Sequence, residues 1–134
     1  MEVPSVLVKT PVKVSPVELS KKTYYTAKDS VVHMRSYVKP KYKTFDSKRI
    51  YYYIDVKNPD TGGYEYLGRW EATLYNTDDY AYSTRAKRDV SIDALNIAEN
   101  ETTDFRVRVK LMWYDANDDL QVTKSTYSYF KVKD

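Results

Sequence analysis

The chain has 134 residues, no cysteine, one histidine and a formal net charge of +3. That length suits one domain with a core of its own, and the missing cysteines exclude disulfides, thiolate metal sites and Cys–His catalysis. No apolar run approaches the ~18 residues that cross a bilayer, and the opening "MEVPSVLVKTPVKV" lacks the basic head and apolar stretch of a signal peptide.

Period-two alternation recurs in chain order, which predicts strands. "SVLVKTPVKV" places Val6, Val8, Val12 and Val14 on one face, with Pro11 marking an edge or a bend. Residues 1–20 read as an N-terminal strand or arm, and 21–134 as the body of the same single domain. "VVHMRSYV" sets Val32, Met34 and Val38 against His33, Arg35 and Tyr37. "KPKYKTFDSKR" (39–49) is basic, lacks alternation and reads as a loop. "RIYYYIDVK" sets Ile50, Tyr52, Ile54 and Val56 against Tyr51, Tyr53 and Asp55, and the turn "NPDTGG" follows. "YEYLGRWEATLY" reads as one strand with Tyr64, Tyr66, Trp70, Ala72 and Leu74 on its buried face. "YAYSTRAKRDVSI" is weaker, with Tyr80, Tyr82, Ala86, Val90 and Ile92 in phase. "SIDALNIAENE" supports at most one short helical turn. "DFRVRVKLMWYD" alternates almost without fault, burying Phe105, Val107, Val109, Leu111 and Trp113. The last strand, "LQVTKSTYSYFKV", has a split phase: Val122, Phe130 and Val132 share one parity, Tyr127 and Tyr129 the other, and a bulge would reconcile them.

About seven short strands separated by turns predict an all-β fold, an antiparallel β-sandwich. The run "YYYIDVKNPDTGGYEYLGRWEATLYN", then "IDALNIAENETTDFRVRVKLMWYD" and a final strand, resembles the immunoglobulin-like domains of extracellular and archaeal surface proteins of the adhesion type. The resemblance covers roughly residues 28–132 and implies an immunoglobulin-like sandwich. The Cys…Trp…Cys signature of antibody domains is absent from it.

Signals for catalysis are missing. His33 lies beside Arg35 on a strand's polar face, where an exposed strand histidine is expected. The three glycines, Gly62, Gly63 and Gly68, build no phosphate loop. "DANDDL" places Asp115, Asn117 and Asp119 at alternate positions, as in a calcium loop. Leu120 stands where that loop needs glycine and Thr126 where it needs glutamate, so a hairpin turn is expected and no metal or cofactor. Asn100–Thr102 fits a glycosylation sequon.

What remains is a surface. Arg106, Arg108 and Lys110 occupy the second face of their strand, and in an immunoglobulin-like sandwich Tyr51, Tyr53, Tyr127 and Tyr129 would stand beside them. Tyrosine interleaved with cations suits protein interfaces, and also single-stranded nucleic acid. Residues 1–50 carry eleven Lys/Arg against four Asp/Glu, and 51–134 carry eleven against fifteen. The basic part of one copy could therefore meet the acidic part of another. The valine arm could fold at home or add a strand to a neighbour. The expectation is a non-enzymatic structural or protein-interaction subunit, self-associating, of a virion, filament or cell surface. Sparse glutamine, histidine and cysteine are in keeping with a thermophilic source. The alternative is a nucleic-acid-binding module using the tyrosine–cation face.

Overall fold

Alternation becomes burial with few exceptions in the computed structural model, which describes residues 12–39, 46–77 and 84–134. Eleven strands are found there: β1 (Lys13–Val14), β2 (Glu18–Leu19), β3 (Thr23–Tyr25), β4 (Val31–Lys39), β5 (Asp46–Lys57), β6 (Tyr64–Glu71), β7 (Thr73–Asn76), β8 (Thr84–Ser91), β9 (Thr102–Tyr114), β10 (Leu120–Lys124) and β11 (Ser128–Lys133). They form two sheets. One has five strands in the order β1-β4-β8-β7, with β2 also paired to β4. The other has six in the order β3-β11-β9-β5-β6, with β10 paired to β9. Every pairing is antiparallel except β3 with β11. The fold is an all-β sandwich.

The core lies between the sheets, where the apolar parity of each long strand meets that of the other sheet. Val32, Met34 and Val38 of β4 and Ala86 and Val90 of β8 face Ile50, Tyr52 and Ile54 of β5 and Phe105, Val107, Val109 and Leu111 of β9, all buried. Fully burying such a side chain is worth about 1.5–3 kcal/mol. Phe105 stacks on Phe130 at 5.1 Å between ring centroids, and Tyr24 meets Phe130 edge-on at 6.0 Å. A buried polar bridge across the core is satisfied: the Tyr52 hydroxyl donates to the Ala86 carbonyl at 3.0 Å and lies 2.9 Å from Ser36 Oγ. Burial raises the Tyr52 phenol well above its ordinary pKa, so this bridge stays protonated. The helical turn is Ile92–Leu95, with both end residues buried.

Three local expectations change. The stretch 64–75 is not one strand: Ala72 is buried, its N–H donates to the Ile50 carbonyl at 2.9 Å, and the chain there leaves the six-stranded sheet as β6 and enters the five-stranded sheet as β7. Within β6 the register against β5 shifts, since Ile54 pairs with Gly68 but Asp55 pairs with Tyr66. Leu67 is the extra residue of this bulge, and it turns Tyr64 and Tyr66 away from the core, where they had been placed with Trp70. Trp70 stays against the core. The basic stretch 39–49 is less of a loop than its composition implies, because β4 runs to Lys39 and β5 begins at Asp46.

Of the two courses open to the arm, its described part takes one. From Val12 onward it folds at home: Val12 is buried, Val14 packs on the core, and β1 pairs with the end of β4 through Val14↔Val38. It also ties the sheets together, since Thr123 Oγ1 donates to the Val12 carbonyl at 3.0 Å and Ser128 Oγ to the Val17 carbonyl at 2.6 Å. Val6 and Val8 lie outside the described residues, as do Tyr80 and Tyr82.

Candidate interaction face

The outer face of the six-stranded sheet is built by the off-core parity of β5, β6, β9, β10 and β11. β9 lies at its centre, with β5 on one side and β10 and β11 end to end on the other. The end-to-end arrangement resolves the split phase of the last strand. Ser125 is buried between β10 and β11, its N–H donates to the Val109 carbonyl at 2.9 Å, and its Oγ accepts the Val109 N–H at 2.9 Å. A side chain thus replaces a backbone partner and the strand changes parity. Phe130 and Val132 point inward, while Val122 and Tyr129 are exposed.

Cross-strand register assembles the expected residues. Tyr51 pairs with Lys110, Tyr53 with Arg108, and Tyr129 with Arg106. In these pairs a cation stands opposite a tyrosine, while on its other side Lys110 stands opposite Lys124. The Arg106 guanidinium lies 3.9 Å from the Tyr127 ring centroid and 4.5 Å from that of Tyr64. Arg108 lies 4.7 Å from Tyr127, and the Lys110 Nζ 4.2 Å from Tyr53. All seven residues of the expected face, Tyr51, Tyr53, Arg106, Arg108, Lys110, Tyr127 and Tyr129, are brought to one surface.

Three more belong to it: Arg69, on the polar parity of its strand, and two tyrosines that alternation put on the other face. Tyr64 and Tyr66 are turned outward by the bulge, Tyr64 packing on Tyr129 at 6.0 Å and Tyr66 on Tyr53 at 6.1 Å. Arg69, opposite Tyr53, lies 4.4 Å over the Tyr51 ring and donates to the Tyr53 hydroxyl at 3.2 Å. The available signal was Gly68, a glycine inside a strand, which marks a bulge or a close approach. A Cβ there would meet the Trp70 ring at 3.2 Å.

The electrostatics divide the cations. Arg106 Nε donates to Asp55 Oδ2 at 2.8 Å, both side chains mostly covered. Desolvation opposes its charge, but the Asp55 bond and the surrounding tyrosines outweigh that and raise its pKa. Burial likewise raises the Tyr64 phenol, with Asp104 adding to the effect. Arg108 and Lys110 have no carboxylate partner among the described residues.

Exposed apolar surface concentrates on the same side. Among the described residues the large hydrophobic side chains left exposed are Tyr25 (37%), Tyr66 (61%), Leu120 (47%), Val122 (49%) and Tyr129 (56%). All five belong to strands of the six-stranded sheet. No protein-family model and no curated protein matches the chain.

Elsewhere the polar groups are engaged structurally. His33 Nδ1 and Arg35 both meet Asp89 Oδ1, at 2.8 and 2.9 Å, on the outer face of the other sheet. In the 115–119 turn, Asp115 Oδ1 accepts the N–H groups of Asn117 and Asp119 at 2.8 and 3.0 Å, as a hairpin turn requires. No cluster of three potential metal-binding side chains occurs among the described residues. Asn100 is exposed and its N–H donates to Asp134 Oδ2 at 2.7 Å. Among the described residues no helix is long and apolar enough to cross a membrane.

Proposed function

We propose that the protein is a non-enzymatic, immunoglobulin-like β-sandwich that acts by binding protein through the outer face of its six-stranded sheet, as a subunit of a larger assembly. The observation that carries this reading is the placement of all five exposed large hydrophobic side chains on that sheet, interleaved with arginine and tyrosine. Exposed apolar side chains gathered on one sheet among the described residues are in keeping with an interaction site, and Tyr and Arg are the side chains interfaces favour. The strand orders β1-β4-β8-β7 and β3-β11-β9-β5-β6 support the immunoglobulin-like reading, since they match a four-strand sheet opposed to one built around the third, sixth and seventh long strands.

The same geometry weighs against nucleic acid. A base-stacking platform needs free ring faces and free cations. Here Tyr51, Tyr53, Tyr64 and Tyr127 are each covered by a cation of the protein itself and Arg106 is held by Asp55, which leaves Tyr66 and Tyr129 as the exposed rings and Arg108 and Lys110 as the cations without a carboxylate partner among the described residues.

The test is a photoreactive amino acid placed at Tyr129 and, separately, at Tyr75 on the opposite sheet, activated in the protein's native setting. Protein adducts from position 129 and few from 75 are expected. Adducts to nucleic acid at 129, or equal protein adducts from both positions, would overturn the reading.

A further inference from the structure

The outer face of the six-stranded sheet carries its three kinds of surface in a fixed order along β9, and the order is self-complementary. At one level stand Met112 and its cross-strand neighbour Val122. One pair further toward the turn are Tyr114 and Leu120. Val122 and Leu120 are about half exposed, so this is an apolar centre. In one direction from it come Lys110, paired across to Lys124, and then Arg108. In the other direction comes the turn 115–119, closed by the Asp115 N–H to the Asp119 carbonyl at 3.0 Å.

The charges on the two sides are unspent. Arg108 and Lys110 have no carboxylate partner among the described residues. Asp115 is consumed by its own turn, through two backbone amides and the Gln121 side chain at 3.0 Å. Asp118 and Asp119 are exposed, and neither makes an ion pair among the described residues. A surface with an apolar middle, free cations on one side and free carboxylates on the other fits a copy of itself turned end for end.

We infer that two copies of this chain associate face to face through this surface, about a two-fold axis lying across the strands at the level of Met112 and Val122. The inference rests on the reading of this face as a protein interface. A two-fold axis there lays β9 over β9 and β10 over β10 with their directions reversed, the isologous arrangement of symmetric dimers. Met112 and Val122 then meet their own copies. Lys110 and Lys124 lie over the partner's Tyr114 and Leu120, which their aliphatic stems can cover. Arg108 is four residues from the axis, roughly 14 Å at strand rise, and the partner's acidic turn begins three residues from it, roughly 10 Å. Cations thus reach the partner's Asp118 and Asp119. Arg49, level with Met112, brings its own counter-ion, Glu71 at 3.3 Å, and adds no unpaired charge at the axis. The opposite charge order on a second copy is what makes the contact specific as well as attractive.

Sedimentation velocity of the full chain over a concentration series tests this, with three variants: Val122→Lys, Arg108→Asp, and Asp118→Arg with Asp119→Arg. All the altered side chains are on the surface. The wild type is expected to dimerise, and each variant alone to dimerise at least about tenfold more weakly, the equivalent of ~1.4 kcal/mol. An equimolar mixture of the Arg108→Asp chain with the Asp118→Arg, Asp119→Arg chain is expected to recover the dimer, because only the mixed pair sets opposite charges against each other at both ends. A wild type that is monomeric at every concentration overturns the inference and leaves the face to a foreign protein. A dimer indifferent to all three variants but lost on substitution at Tyr75 or Lys87 overturns both the inference and the reading of the face.

Discussion

The two outer faces of the sandwich use the same side chains for different ends. On the five-stranded sheet, Arg85 lies over Tyr37 at 4.5 Å and Lys87 over Tyr75 at 4.9 Å, while His33 and Arg35 share Asp89. On the six-stranded sheet the same pairing is repeated over more strands, with the addition of exposed Leu120, Val122, Tyr66 and Tyr129. Cation–tyrosine ladders are thus common to both faces and serve as a way of covering a sheet. The distinguishing element is the apolar surface left over, and it falls on one side only among the described residues. Composition would have assigned the two faces one role; exposure separates them.

The difference can be broken most strongly from below. Phe105 is fully buried, and its ring stacks on Phe130 directly beneath Arg106 and Tyr129. Phe105→Ala should cost about 3–5 kcal/mol, read by denaturant unfolding. A loss below about 1 kcal/mol would mean that this face is not braced by the core.

A smaller effect separates the ion pairs of the two faces. The Asp55 side chain is 15% exposed and that of Asp89 46%. Arg106→Met strands a mostly covered carboxylate and should cost about 1–3 kcal/mol. Arg35→Met leaves Asp89 in water with His33 still beside it and should cost less than about 1 kcal/mol. Equal losses would show that burial does not separate the two ion pairs.

The gentlest probe is pH. The Asp115 carboxyl is held below its ordinary 3.8 chiefly by the Asp119 amide, with Asn117 and Gln121 adding. The Asp89 carboxyl is held below 3.8 chiefly by His33, with Arg35 adding. A depressed carboxylate stabilises the fold fully above its unfolded pKa, and the contribution disappears as pH falls through the lower folded value. Stability should therefore decline on acidification below about 3.8, and Asp115→Asn should make that decline shallower. A variant with an unchanged acid limb would show that the turn does not depend on the charge.

Much of this was legible in the sequence where one strand keeps one phase. β4, β9 and β5 from Ile50 onward alternate without a break, so their inward and outward residues, and with them Tyr51, Tyr53, Arg106, Arg108 and Lys110, followed from parity. Legibility failed where a backbone event changes the count. The bulge at Leu67 moved Tyr64 and Tyr66 from core to surface, and the sheet change at Ala72 divided one apparent strand into β6 and β7. The short β2 and β3 were not read because two or three residues carry no period. In the last strand, Tyr129 and Phe130 were placed by admitting a bulge, and the structure supplies its cause in the Ser125 side chain that takes a ladder position. Val122 ended on the other face from Phe130 for the same reason. The apolar centre was unreadable for a related cause: whether Leu120 and Val122 are exposed depends on that one interruption.

Hydroxyl-radical footprinting tests the central claim most directly, by comparing dilute purified protein with the protein in its native setting. Oxidation of Tyr66, Leu120, Val122 and Tyr129 is expected to fall in the native setting, while that of Tyr37 and Tyr75 on the opposite sheet stays unchanged. Protection confined to Tyr37 and Tyr75, or spread equally over both faces, would contradict it.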